Sequence, residues 1–292
     1  TEIKAAKFIE DKNIWELKDH ENKLIKTKFC IMATGCLSTL NKPNFKNLKS
    51  FNGDILHTGN WPKHNVNLSN KVVGIIGTGS SAIQCIPEII KKVKHLYVFQ
   101  RTPHYTVPAR NASLKYLKGK NKKHMREPIG YDNDLYVEEI KYNYSKFRLK
   151  AQNSVAAMAL PLNKQSALDV SENIREAIYE ERWNDGGVPF IAAFEDLNFN
   201  RKANETAAKF VRKKIKSLVK NTNTAKLLTP NYPIGCKRLA VDSNYYETYN
   251  KPNISLIDIK KDAIKEFNKD GISTKNNNFK VDVIILATGF DA

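Results

Sequence analysis

No glycine precedes Gly35 in this 292-residue chain, and no apolar run approaches the roughly 18 residues that a membrane-spanning helix needs. The first absence excludes a glycine-rich phosphate loop from the opening stretch, because such a loop needs residues that tolerate tight turns and close backbone approach. The second leaves no candidate membrane helix, and the residues after Thr1 show no signal-peptide pattern. Cysteine is scarce and scattered: Cys30, Cys36, Cys85 and Cys236 form no C-x-x-C pair and have no histidine at ligand spacing. Neither a disulfide framework nor a metal site is expected, and a reducing cytoplasm suits the pattern. What the chain has in quantity is apolar side chains, 41% of the total with 10% aromatic, enough to bury the cores of about two domains.

Acidic residues are also few, 30 against 48 Lys and Arg, which leaves a formal charge of +18. The cations are spread along the chain. The densest group, Lys118, Lys120, Lys122, Lys123 and Arg126, lies in a polar stretch that reads as solvated surface. No aromatic–basic interleaving of the kind that stacks bases is present, so neither nucleic acid nor membrane is expected as a partner. An anionic cofactor would be welcome in such a field.

Along the chain, Lys7–Ile9 and Ile14–Leu17 alternate with turn residues as in a β-meander, and Phe29–Met32 reads as a buried strand ending at Ala33-Thr34-Gly35. Leu37 to Lys71 is loop-rich. Val72–Ile76 is an apolar run of the kind buried in a parallel sheet; it leads into Gly77-Thr78-Gly79-Ser80-Ser81-Ala82, then into apolar residues at helical spacing, then into the run Leu96–Phe99. Those elements make a β-α-β unit. From about Ser113 to Leu228 helical periodicity dominates, clearest in Ser171–Arg182 and Ala203–Lys220. Strand-like runs return at Ile254–Ile257 and Val281–Leu286. The expected fold class is therefore α/β: a Rossmann-like domain on a parallel sheet with a mostly helical insertion.

The G-x-G-x-x-A loop gains meaning from its place between a buried strand and a helix. Gly77 permits the turn, Gly79 lets backbone approach a pyrophosphate, and Ala82 keeps the helix close to the strand, so that a phosphate meets the positive helix end. Thr78, Ser80, Ser81 and Gln84 complete the expected contact set. An NAD site would carry Asp or Glu at the end of the second strand, whereas this chain has Gln100-Arg101-Thr102. A guanidinium at Arg101 and a hydroxyl at Thr102 suit a 2′-phosphate, which favours NADPH.

Before the loop stands a turn-rich segment with an aromatic near each end and one histidine. Its Phe51, Gly53, His57, Trp61 and Pro62 match the F-x-G-x-x-x-H-x-x-x-W-P fingerprint, and the segment resembles that of Baeyer–Villiger monooxygenases. The resemblance runs over nearly the whole chain. It includes Ala33-Thr34-Gly35 with Leu37-Ser38, Gln100–Pro103 with Val107–Asn111, Trp183–Gly187, Gly235–Leu239 with Tyr245-Tyr246-Glu247, and Ala287–Ala292. The likeness is to the phenylacetone and cyclohexanone monooxygenase group in particular.

That resemblance implies an oxidoreductase in which NADPH reduces FAD, the flavin activates O2 as a peroxide, and a small-molecule ketone becomes an ester or lactone. By resemblance Arg238 is the catalytic cation, Lys237 a second cation for the 2′-phosphate, and the fingerprint residues a hinge. It also implies a segmentation: 1–38 the tail of a first FAD-domain segment, 39–112 the first part of the NADP-binding domain, 113–228 a helical insertion, 229–286 the second part, and 287–292 a return to the FAD domain. The family's first dinucleotide loop is absent, so an internal fragment of a longer enzyme is expected, with FAD-domain segments as its missing partner. Apolar surface around Ile31, Met32 and Ile284–Leu286 should then lie exposed. Two other readings remain open: a flavin monooxygenase acting on amine or sulfide heteroatoms, and a non-catalytic NADP-binding module.

Overall fold

A computed structural model describes residues 1–109, 141–153 and 163–291. Arg110, Asn111 and the lysine cluster at 118–126 lie outside the described residues. The chain divides into two compact units, Thr1–Leu40 with Phe290–Ala292, and Asn41–Gly289.

In the first unit, strands β1 (Ile3–Ile9), β2 (Ile14–Asp19) and β3 (Leu24–Thr27) form an antiparallel meander. Asn13, in the left-handed conformation that asparagine tolerates better than most residues, turns the chain into β2. A short strand β4 (Thr39–Leu40) pairs antiparallel with the last one, β15 (Phe290–Asp291). Phe29–Met32, expected as a buried strand, is not one. It makes no sheet pairing, and Phe29 is 82% exposed because no layer of this unit covers it, while Ile31 and Met32, at 90% and 62%, are exposed as expected. Apolarity alone does not make a strand; a partner must accept its hydrogen bonds.

The second unit is built on five parallel strands in the order β10-β7-β6-β14-β5. In chain order these are β5 (Asp54–His57), β6 (Val72–Ile76), β7 (His95–Gln100), β10 (Ile254–Asp258) and β14 (Val283–Leu286), with helix α1 (Ser80–Ile89) crossing from β6 to β7. The two-residue period of the strands sorts the core onto two faces. Val73, Ile75, Leu96, Val98, Val283 and Ile285 pack with α1 and the other helices. Ile76, Phe99, Ile284 and Leu286 point the opposite way, onto Phe51, Phe267 and Ile272. The cover on that second face is an antiparallel sheet of β11 (Ile264–Asn268), β12 (Gly271–Thr274) and β13 (Asn278–Lys280). Ile284–Leu286, expected to be exposed, are accordingly buried: β14 is an inner strand with a layer on each face.

Of the stretch 113–228, the described part carries helices α2 (Tyr144–Gln152), α3 (Glu172–Asp185), α4 (Arg201–Leu218) and α5 (Thr222–Leu228). Asn200 and Asn221 cap α4 and α5 with their side-chain oxygens. Tyr179, Trp183, Phe190 and Phe210 make an aromatic cluster between α3 and α4. A parallel pair, β8 (Thr106–Pro108) and β9 (Ala240–Asp242), followed by the short helix α6 (Tyr245–Thr248), completes the unit. No described helix is long and apolar enough to cross a membrane.

Asn41 and Gly289, where the second unit begins and ends, are hydrogen-bonded to each other, the Asn41 N–H donating to the Gly289 carbonyl at 3.0 Å.

Candidate functional site

The chain leaves β6 for β7 on one side and reaches β14 on the other, so the carboxyl ends of β6, β7 and β14 flank the switch point where open α/β sheets take their ligands. The loop Gly77–Gly79 sits there. Gly77 has φ +112°, and a β-carbon on it would stand 2.4 Å from the Ala287 carbonyl oxygen. Its N–H donates to Phe99 O at 3.1 Å. Thr78, buried, donates its hydroxyl to Thr102 O at 2.8 Å and ties the loop to the exit of β7. Gly79 differs from Gly77: its backbone is extended, and a β-carbon there would meet nothing within 4 Å.

No side chain caps the N-terminus of α1, so its first N–H groups remain available. Ala82 is fully buried against the sheet, while Ser80, Ser81 and Gln84 are exposed on the outer side. Open space above Gly79 at an uncapped helix start is what a pyrophosphate requires.

Arg101 is exposed just past β7, with Thr102 half-buried beside it. The segment that follows is fastened to residues 227–238. The Gln100 Nε2 donates to Leu227 O at 2.8 Å, and the Tyr105 hydroxyl to Tyr232 O at 3.0 Å. The Tyr232 hydroxyl donates to Pro103 O at 2.9 Å, and the His104 Nε2 to Arg238 O at 2.9 Å. Lys237 and Arg238 are both exposed, and the Lys237 Nζ stands 5.2 Å from the centre of the Tyr232 ring. The two sequence segments singled out for their cations are thus bound together through four side chains, of which the sequence reading names only Gln100. Nothing in the spacing of His104, Tyr105 and Tyr232 marks them.

Burial raises the Tyr232 hydroxyl to about 12, so it stays a donor. His104 is held below the ordinary histidine range, first by burial and then by the charge of Lys237, against the bond to Arg238. Beneath this segment Asp242 is buried; desolvation raises its carboxyl, opposed by hydrogen bonds from the Thr106 hydroxyl and the Tyr245 N–H.

The fingerprint brackets the edge strand β5, with only His57 inside it. Phe51 is a buried member of the second core face. Gly53 is there for space: a β-carbon would lie 2.2 Å from the Asp282 carbonyl oxygen. His57 is buried. Its Nδ1 accepts from the Gly59 N–H at 3.0 Å, which leaves the ring proton on Nε2 to donate to Thr288 Oγ1 at 3.2 Å. Thr288 in turn donates to Asn41 O at 2.7 Å. The histidine therefore sits on the two residues next to the points where the chain passes between its units. Trp61 is 39% exposed, and Pro62 is half-buried.

No protein-family model matches the chain. It is 36% identical over its full length to a Baeyer–Villiger monooxygenase of Pseudooceanicola batsensis, covering 50% of that protein. It is 34% identical, again over its full length, to a phenazine N-monooxygenase of Lysobacter antibioticus, covering 51% of it. Among solved structures, an oxidised steroid monooxygenase bound to NADP superimposes with a TM-score of 0.89 at 39% identity, over all of this chain and 52% of that one. The chain spans about half the length of the relatives it matches.

Proposed function

We infer that this chain, homologous over its whole length to the Baeyer–Villiger and related flavin monooxygenases, supplies the NADPH-binding part of an enzyme that inserts one atom of O2 beside a ketone carbonyl, giving an ester or lactone. The observation that carries this reading is the loop at the switch point: Gly79 open to approach, an uncapped helix N-terminus behind it, and Arg101 at the end of the next strand. Gly77, Thr78, Gly79, Ser80, Ser81, Ala82 and Gln84 would form the pyrophosphate cradle. Arg101, Thr102 and Lys237 would take the 2′-phosphate, whose oxygens match a planar guanidinium and a nearby ammonium.

The chemistry needs a flavin, FAD by resemblance, to pass electrons from NADPH to O2. This chain carries no second pyrophosphate loop, so we assign that group to flavin-domain sequence outside it. The role of Arg238 is electrostatic. Its guanidinium would stabilise negative charge on oxygen at the reacting centre, while His104 fixes its carbonyl and hence its backbone. By resemblance His57, Phe51, Gly53, Trp61 and Pro62 would serve as a hinge of the parent enzyme; with its ring nitrogens engaged in the fold, we assign His57 no part in proton transfer. A reducing compartment such as the cytoplasm would suit the four scattered cysteines.

A second reading, heteroatom oxidation, is favoured by the likeness to a phenazine N-monooxygenase. Product analysis of the flavin-loaded enzyme, given NADPH with a cyclic ketone or a tertiary amine, separates the two. Lactone formation supports the first reading, and oxidation of the amine alone replaces it with the second. Binding of NADPH without any oxygenation would leave only a non-catalytic module.

A further inference from the structure

Resting on the reading of Arg101 and Lys237 as a 2′-phosphate site, we infer that Tyr232 is the positioning residue that joins these two cations and thereby sets the preference for NADP over NAD. Among the described residues no carboxylate pairs with either cation; the ion pairs involve other basic residues. Lysine is a flexible four-carbon chain, and an exposed one without a partner samples many rotamers. Lys237 instead has its ammonium 5.2 Å from the centre of the Tyr232 ring, within the range of cation–π attraction. An aromatic face is well suited to this task. It restrains the ammonium without neutralising it, so the charge stays available to an anion, whereas a carboxylate at the same place would compete with the phosphate.

The ring is itself held from three directions. The Tyr232 hydroxyl donates to Pro103 O at 2.9 Å, two residues past Arg101. Its own carbonyl accepts from the Tyr105 hydroxyl at 3.0 Å. The Tyr105 ring meets it edge to face, with centroids 5.4 Å apart. Pro103 follows Thr102, whose carbonyl accepts from Thr78 in the phosphate loop. One side chain thus links the lysine, the exit of β7 and, at one remove, the pyrophosphate loop.

The test is a set of titrations with NADP+ and NAD+, following ligand binding by fluorescence, on the parent, Tyr232→Leu, Tyr232→Phe, Lys237→Ala and the Tyr232→Leu/Lys237→Ala double variant. Tyr232→Leu should weaken NADP+ by about five-fold, the size of a surface cation–π contact, and leave NAD+ within about two-fold. Tyr232→Phe keeps the ring and should lose less than Tyr232→Leu, which also guards against a leucine variant that fails to fold. In the Lys237→Ala background the Tyr232→Leu change should have little further effect on NADP+. Equal weakening of both dinucleotides by Tyr232→Leu, or full loss persisting without Lys237, overturns the inference while leaving the site standing. If Lys237→Ala itself leaves NADP+ binding unchanged, the 2′-phosphate reading of Lys237 falls, and the inference with it.

Discussion

Two glycines two residues apart should fail in opposite ways when each is changed to alanine. At Gly77 the new β-carbon would lie 2.4 Å from the Ala287 carbonyl oxygen, about 1 Å inside ordinary contact, at a φ of +112°. The neighbour is backbone and cannot swing aside. Relief requires the end of β6 to part from the end of β14, which loosens the Ala287 N–H bond to Ile76 O (2.9 Å) and the Gly77 N–H bond to Phe99 O (3.1 Å). Left-handed strain costs about 1–2 kcal/mol and each weakened hydrogen bond about 1 kcal/mol, so Gly77→Ala should cost about 3–4 kcal/mol. That is a large share of a typical domain stability of about 5–15 kcal/mol. Gly79→Ala meets nothing within 4 Å on an extended backbone, and should change stability by less than about 0.5 kcal/mol. Its methyl group would occupy the approach to the pyrophosphate, and NADPH should bind at least about ten-fold more weakly, a loss of about 1.4 kcal/mol. Urea unfolding midpoints and NADPH fluorescence titration read the two effects. A Gly77→Ala protein with the parent midpoint, or a Gly79→Ala protein with the parent affinity, would refute the reasoning.

Arg101→Ala should remove most of the preference for NADPH over NADH and leave only the share that Lys237 holds, since only NADPH has the 2′-phosphate that the guanidinium would pair; an undiminished preference measured by titration counts against the assignment. His57→Phe removes the acceptor of the Gly59 N–H and the donor to the Thr288 hydroxyl, and should lower stability by about 1 kcal/mol in urea unfolding, because Gly59 is exposed and Thr288 half-buried and water replaces part of what is lost. An unaltered midpoint would show that the histidine holds nothing. Stability should also decline on mild acidification. His104 and His95 both have values lowered by burial, so the unfolded chain binds protons more readily than the folded one, and stability present above pH 6.5 is lost as pH falls below it. Asp242, raised by burial, acts with the opposite sign at lower pH, as it takes up a proton in the folded state first. Unfolding midpoints at pH 7.5 and 5.5 should differ in the parent and differ less in His104→Gln; equal slopes would remove His104 as the source.

The legible part of the fold was the set of parallel strands that read as apolar runs, near or far in sequence: Val72–Ile76, Leu96–Phe99, Ile254–Ile257 and Val283–Leu286. Val72–Ile76, the glycine loop and the helix after it declare themselves, because one continuous stretch supplies strand, turn and crossover. β5 was hidden: only Ile55 and Leu56 are apolar in Asp54–His57. The sheet β11–β13 was missed because one of its faces is polar, as a single covering layer allows. Phe29–Met32 and Ile284–Leu286 look alike as apolar runs, yet one is exposed and the other buried, a difference fixed by which layers reach them. The site divides the same way. Gly77, Gly79 and Arg101 carry their chemistry in their residue types, whereas Tyr232 and His104 matter only through contacts formed by folding.

The bond between Asn41 and Gly289 makes the second unit a loop whose ends touch. A piece of chain that leaves and returns at one point asks little of its host, which could be spliced open there and closed again by a short peptide without losing a strand. Residues 41–289 thus resemble a cassette: joined by a few glycines they could be reopened at a surface turn, and exchanged between relatives they would carry their nucleotide preference with them.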